Sequence, residues 1–99
     1  MGSPTYYRGG PSLVPRRSEV RFDKTTGLVK PTRGLSVYDR PDHPNLARFG
    51  GPYQVTNLPP GLQVVQAGED PAHHEIVPAR LMTWDEYADL VQQIALISV

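Results

Sequence analysis

The sequence predicts an α+β domain with a β-rich core. Eleven prolines and nine glycines among 99 residues interrupt the chain too often for a helical bundle. Most segments between these breaks are short and alternate polar with apolar residues, as strands do. One segment near the C-terminus instead has the spacing of an amphipathic helix. A chain of this length corresponds to one domain, residues 1–99, and we expect residues 1–4 to be a flexible start or a cloning remnant.

The first half predicts short strands separated by turns and a long loop. Residues 5–8 are rich in β-formers, and Gly-Gly-Pro stops them. Residues 19–22 and 28–30 predict a β-hairpin around a five-residue connection. Residues 34–38 predict a further strand, with Ser36 and Tyr38 on the same face. The segment 39–52 is predicted to be mostly loop, with one helical turn around 45–49, and such long loops are usually functional or mobile.

The second half predicts a strand pair and then a helix. Residues 53–55 and 62–66 alternate as strands do, and residues 74–77 are the expected partner of 62–66. Thr83 with Glu86 three residues later fits a capping box, which predicts a helix over 84–96 that docks on the sheet. Its apolar stripe follows helical spacing and is expected to be core: Tyr87, Leu90, Val91 and Ile94.

Composition excludes several classes of function. The chain has no cysteine, which rules out a disulfide scaffold, a thiol nucleophile and cysteine-ligated metal. No apolar run approaches the ~18 residues that a spanning helix needs, so we expect no membrane association. The N-terminus lacks the pattern of a signal peptide, and we therefore expect a cytoplasmic protein.

Charge is distributed unevenly along the chain. Residues 1–50 carry nine Lys and Arg side chains against four acids, whereas residues 51–99 carry one Arg against six acids. This asymmetry suggests an anion site built from the first half. The alternative is two faces of opposite sign that attract each other in the fold.

Two groups of residues in the first half could bind parts of a ligand, one an anionic group and the other a flat ring. Arg8, between Tyr7 and Gly9, ends a predicted strand where a guanidinium can reach phosphate and glycine lets the backbone approach closely. Ser36 and Tyr38 could hold a flat heteroaromatic ring, and Arg33 could add a cation. The alternatives are an edge-strand surface arginine and a solvated strand face.

The only compact titratable cluster lies in the second half. His73 and Glu75 share one face of a predicted strand and could act in acid–base chemistry, while His74 points away. Three histidines without a spacing motif make no metal site, so none is predicted. Glycine-rich phosphate loops and a serine nucleophile elbow are missing from the sequence.

The order of these motifs resembles a known family. Tyr7-Arg8-Gly9 is followed by Gly-Leu-Ser-Val-Tyr-Asp at 34–39, Leu-Pro-Pro-Gly-Leu-Gln-Val at 58–64 and His-His-Glu-Ile-Val-Pro-Ala at 73–79. The set is similar to that of the small ADP-ribosyltransferase-like toxins delivered by bacterial type VI secretion, and it covers roughly residues 5–95. The resemblance implies a compact ADP-ribosyltransferase-like fold, in which two small, bent, mostly antiparallel sheets form a cleft for NAD and a helix follows.

The resemblance also implies roles for particular residues. Arg8 matches the NAD-binding position of the first strand, Ser36 matches the nicotinamide site with Tyr38 beside it, and His73 matches the histidine of the toxins. The Gln/Glu-x-Glu motif of the wider superfamily is missing, and Glu75 is the acid nearest the matched histidine. The catalytic candidates are therefore His73 and Glu75, and the NAD-binding candidates are Tyr7, Arg8, Gly9, Arg33, Ser36 and Tyr38.

The resemblance implies a toxin that uses NAD as its substrate. It would transfer ADP-ribose to an unknown macromolecular target or degrade NAD, and a cognate antitoxin or immunity protein would neutralise it. One alternative is an RNA-acting toxin, although a net charge of zero argues against strong nucleic-acid binding. The other alternative is a catalytically inert interaction module with the same fold.

Overall fold

The computed structural model describes residues 4–99, which carry six strands and two α-helices. The predicted flexible start at 1–4 lies outside this part of the chain, apart from Pro4. The elements follow in the order β1 (Tyr7–Gly9), a turn of 3₁₀ helix (Arg17–Glu19), β2 (Leu35–Tyr38), α1 (Pro44–Ala47), β3 (Pro52–Thr56), β4 (Leu62–Gln66), β5 (His73–Pro78), α2 (Trp84–Gln92) and β6 (Ala95–Ser98).

All six strands join one antiparallel sheet in the order β4-β5-β2-β1-β3-β6. The α+β class is therefore confirmed. The strands form one continuous sheet where two were expected, because β1 connects the two groups of strands. Its Tyr7 pairs with Tyr38 on one side and with Gln54 on the other. The join between β1 and β2 is narrow: it registers one residue pair, whereas every other pair of neighbouring strands registers three to five.

The core lies between the sheet and α2. Leu35 and Val37 alternate with half-buried residues along β2, as predicted for a strand with one core face. Tyr87 and Val91 of α2 are fully buried against them. The Tyr87 hydroxyl donates to the Ile76 carbonyl oxygen at 2.7 Å, which ties α2 to β5.

The predicted start of α2 is confirmed, but its predicted end is wrong. Thr83 Oγ1 accepts the Glu86 backbone N–H at 3.1 Å, while the Glu86 carboxylate pairs with Arg80. The helix ends at Gln92, where Asn57 Nδ2 donates to the Gln93 carbonyl oxygen at 3.2 Å. The β-favouring residues that follow pair with β3 in four register positions, and this pairing replaces the last predicted turn.

The predicted hairpin of residues 19–22 and 28–30 is reduced to a single bridge between Phe22 and Val29. Val29 also bridges Met82, so the segment is held by two partners without forming a strand. Residue 19, predicted to begin the hairpin, instead ends the 3₁₀ helix Arg17–Glu19. That difference matters for the site, because the helix positions Glu19.

Candidate functional site

The narrow join between β1 and β2 positions the candidate site. Beyond the Tyr7–Tyr38 pair the two strands have no further register, and a side chain takes over the contact. Arg8 Nη1 donates to the Ser36 carbonyl oxygen at 2.8 Å, where a backbone N–H of β1 would otherwise be the donor. The opening between the strands is therefore bridged by a guanidinium.

A cavity of about 580 Å³ opens at this bridge. Its volume lies within the range of small-molecule and cofactor sites. The strands contribute Arg8, Gly9, Ser36 and Tyr38. The remaining lining comes from the loop and 3₁₀ helix after β1 and from the segment around α1: Gly10, Pro11, Ser12, Arg16, Glu19, Asn45, Leu46, Arg48 and Phe49.

The cavity is positively charged. Three guanidinium groups line it, those of Arg8, Arg16 and Arg48, and Glu19 is the one carboxylate among its lining residues. Burial lowers the pKa of Arg8, and the nearby Glu19 charge opposes that shift. A guanidinium titrates far above neutral pH, so Arg8 stays charged and can bind phosphate in a bidentate manner.

Ser36 and His73 form a hydrogen-bonded pair at the wall of the cavity. Ser36 Oγ lies 2.9 Å from His73 Nε2, and His73 Nδ1 lies 2.8 Å from the Ala67 carbonyl oxygen. A carbonyl only accepts, so Nδ1 carries a proton, and in the neutral ring Nε2 is free to accept the serine hydroxyl proton. The Ala67 carbonyl orients the His73 ring, and His73 Nε2 is placed to act as a base towards the Ser36 hydroxyl. This arrangement is typical of an activated hydroxyl.

Glu75 lies behind this pair and away from the cavity lining. Its side chain is 2% exposed, and its Oε1 accepts from Arg33 Nε and from the Gly34 backbone N–H, both at 3.0 Å. Its Oε2 lies 3.8 Å from His73 Nε2. A buried carboxylate needs such partners, and these contacts hold the start of β2 against β5.

Tyr38 is fixed by the α1 segment. Its ring stacks on His43 with centroids 4.0 Å apart, and its hydroxyl accepts from Asn45 Nδ2 at 2.9 Å. His43 Nδ1 accepts the Asn45 backbone N–H at 3.1 Å, so Nε2 carries the proton donated to Asp70 Oδ2 at 2.7 Å. The His43 hydrogen bond and the Ala72 N–H together lower the pKa of Asp70.

The structure brings most of the residues predicted from the sequence together. Arg8, Gly9, Ser36 and Tyr38 line the cavity, and His73 contacts Ser36 directly. The other three predicted residues do not line the cavity: Tyr7, Arg33 and Glu75. Tyr7 forms the strand join, while Arg33, with 52% of its side chain exposed, is paired with buried Glu75 outside the cavity lining.

Among the cavity residues that were not predicted from the sequence, three charged or amide side chains come from the 3₁₀ helix and from the α1 segment: Glu19, Asn45 and Arg48. Arg48 and Asn45 belong to the segment predicted as mostly loop, and Glu19 was expected in a hairpin. The sequence offers one signal for Glu19: it is the first acidic residue, and it lies two positions after the Arg16-Arg17 pair.

Comparisons with models of protein families, with curated proteins and with solved structures find no match to this chain. Among residues 4–99, no group of three His, Cys, Asp or Glu side chains is placed to hold a metal ion. None of the helices in the described part has the length and apolar character needed to cross a membrane.

Proposed function

We propose that the protein is a cytoplasm-acting bacterial toxin of ADP-ribosyltransferase-like fold that binds NAD in the cavity at the β1–β2 join. It then transfers ADP-ribose to a macromolecular target or to water, and a cognate antitoxin or immunity protein keeps it silent. The observation that carries the proposal is the convergence of Arg8, Ser36 and His73 at one cavity, with 2.8 Å and 2.9 Å contacts linking them. The motif order in the sequence supports the same function.

The charges of the cavity suit a dinucleotide. The pyrophosphate of NAD carries two negative charges, and Arg8, Arg16 and Arg48 all line the space it would occupy. Tyr38, held by His43 and Asn45, offers a fixed aromatic surface for the nicotinamide ring. A rigid tyrosine binds a flat ring at low entropic cost.

The Ser36–His73 pair can remove the proton that the acceptor loses during transfer. When the bond between C1′ of the ribose and the nicotinamide nitrogen breaks, nicotinamide leaves with the bonding electrons. The oxygen of the acceptor, water or a target hydroxyl, forms the new bond to C1′ and loses a proton. Ser36 Oγ can take that proton while passing its own to His73 Nε2, which lies 2.9 Å away.

Glu75 fits a positioning role better than direct contact with the sugar. Its Oε1 is engaged by Arg33 and Gly34, and it does not line the cavity. This placement is also the observation that favours the second candidate function, a catalytically inert interaction module. The two functions differ in whether nicotinamide is released.

The test incubates the protein with NAD and a susceptible lysate, and measures nicotinamide release and labelled ADP-ribose on macromolecules. The proposal expects release that falls at least ~100-fold in His73→Ala, in the range of a lost general base. Arg21→Ala, an exposed arginine outside the cavity lining, is the matched control and should keep full activity. Binding of NAD without release would favour the inert module, and cleavage of purified RNA in place of NAD would favour the RNA-acting toxin.

A further inference from the structure

Phe49 is an aromatic residue that the fold leaves uncovered at the cavity. It belongs to the cavity lining and is 67% exposed. A single exposed apolar side chain is common on protein surfaces and by itself indicates no function. What distinguishes Phe49 is how firmly its surroundings hold it and which residues lie next to it.

Backbone hydrogen bonds fix the segment that carries Phe49. The Phe49 N–H donates to the Leu46 carbonyl oxygen at 3.2 Å, and the Gly51 N–H donates to the same oxygen at 3.0 Å. The Gly10 N–H in turn donates to the Gly51 carbonyl oxygen at 3.0 Å, which ties the segment to the residue that follows β1. Phe49 is therefore held between two anchored points and not at the tip of a free loop.

The Phe49 side chain lies directly against the end of β1. A Cβ built on Gly9 would lie 3.0 Å from Phe49 Cβ and 3.3 Å from the ring atom Cδ2. A Cβ on Gly10 would lie 2.6 Å from the Phe49 carbonyl oxygen. Because both positions are glycine, the Phe49 segment can approach the strand this closely. The approach places the ring beside the residue that follows Arg8.

An anchored, uncovered aromatic ring among guanidinium groups suits a flat base that carries phosphate. Arg8 directly precedes Gly9, Arg48 directly precedes Phe49, and both arginines line the cavity. Phosphate binds to guanidinium groups, and the face of a base stacks on an aromatic side chain. Pyrophosphate or a sugar phosphate would bind the arginines and leave the ring uncovered, whereas a nucleotide uses both.

We propose that Phe49 is a stacking surface for a base of the dinucleotide and makes the cavity selective for nucleotides over phosphates that lack a base. This inference rests on the proposed function and adds to it a residue that contacts the ligand without a hydrogen bond. Adenine and nicotinamide share the required chemistry, a flat heteroaromatic ring, and the mononucleotides of each distinguish them.

Equilibrium dialysis of NAD and of inorganic pyrophosphate against the wild type and Phe49→Leu tests the inference. Leucine keeps an apolar side chain but has no ring. The variant should bind NAD about 5- to 100-fold more weakly, the range for a lost stack between a base and an aromatic ring, and should bind pyrophosphate as the wild type does. Phe49→Tyr keeps the ring and should keep the affinity for NAD. Leu81→Ala removes a 41% exposed apolar side chain outside the cavity lining and should change neither constant.

A fluorescence measurement detects the stack itself and decides the question if Phe49→Leu fails to fold. The chain has one tryptophan, Trp84, which lies outside the cavity lining. Addition of NAD should quench the indole fluorescence of Phe49→Trp and leave that of the wild type unchanged. Adenosine monophosphate and nicotinamide mononucleotide, added separately, identify the base that stacks, because the one that carries it should quench as well.

Three results would overturn the role of Phe49 while NAD binding stands. They are an unchanged affinity for NAD in folded Phe49→Leu, an equal loss of affinity for pyrophosphate in that variant, and the absence of quenching in Phe49→Trp. Absence of any NAD binding by the wild type overturns the proposed function together with this inference.

Discussion

At the residue scale, the site is held by side chains that replace backbone contacts. Arg8 bridges a gap in the sheet, and His73 is oriented by the Ala67 carbonyl, which fixes the tautomer. His43 acts similarly on the other side, since it caps α1 through Nδ1 and binds Asp70 through Nε2. These contacts place Tyr38 and Ser36 at the cavity before any ligand arrives.

The His43–Asp70 contact predicts sensitivity to acid. The pKa of Asp70 is lowered in the folded state, chiefly by the His43 hydrogen bond, so the carboxylate stabilises the fold above its unfolded-state pKa of ~3.9. That stabilisation is lost as pH falls through the lowered folded pKa. In urea unfolding between about pH 5 and pH 2, Asp70→Asn should therefore lose less stability than the wild type.

The matched control for that experiment is Asp89→Asn, an exposed carboxylate on α2. It should follow the wild-type acid profile. If the free energy of unfolding of Asp70→Asn fell with pH as steeply as that of the wild type, the contact with His43 would contribute nothing to folding.

At the element scale, close approaches fix where the strands and helix lie. The best example is Gly34, directly before β2: a Cβ there would lie 1.7 Å from the Ile76 carbonyl oxygen and 2.9 Å from the Tyr87 hydroxyl. The Gly34 N–H also binds the buried Glu75. Strands β2 and β5 and helix α2 therefore meet at a position where no side chain fits.

Replacement of Gly34 by alanine is expected to disrupt this meeting point. The new methyl group would overlap a backbone atom that cannot move alone, so we expect a loss of about 4 kcal/mol or more in the free energy of unfolding. Gly27→Ala is the matched control, because Gly27 has a positive φ of 74° but nothing within 4 Å of an added Cβ. It should cost only ~1–2 kcal/mol of backbone strain. Equal losses in chemical unfolding would refute the close-approach argument.

The bond from Tyr87 to Ile76 predicts sensitivity to alkali. Burial raises the pKa of Tyr87, so the hydroxyl stays neutral in the fold while the unfolded chain ionises near pH ~10. Stability is therefore full below that pH and falls as pH rises above it. Tyr87→Phe should lose roughly 1 kcal/mol at neutral pH but fall less steeply in alkali.

Chemical unfolding between about pH 8 and pH 11 checks this expectation. Tyr53→Phe on half-buried β3 is the control and should keep the alkaline slope of the wild type. A parallel shift of Tyr87→Phe at every pH would show that the hydroxyl matters only as a hydrogen-bond donor.

Some elements are determined by residues close in the sequence, and others depend on contacts that only the folded chain provides. The capped start of α2 and the strand pair β4–β5 follow from nearby residues, and the sequence predicts both. The end of α2 does not: only the fold brings Asn57 to the Gln93 carbonyl and β3 to the last residues. Glu19 is hidden for the same reason, because a 3₁₀ turn has no hydrophobic periodicity that would place its carboxylate at a cavity.

At the scale of the whole molecule, the cavity is built from the basic half of the chain. Every residue that lines it falls between positions 8 and 49. The second half supplies His73 and Glu75 behind the cavity and the acidic helix α2 beyond the sheet. The basic first half of the chain thus lines the cavity, and the acidic second half packs behind it.

The proposed function requires that NAD binds in this cavity and that Arg8 contacts it. Calorimetric titration of NAD into the wild type, Arg8→Gln and the exposed-site control Arg21→Gln measures this binding. We expect saturable binding by the wild type and the control, and about 10- to 100-fold weaker binding by folded Arg8→Gln. No NAD binding by the wild type, or unchanged affinity in folded Arg8→Gln, would contradict it.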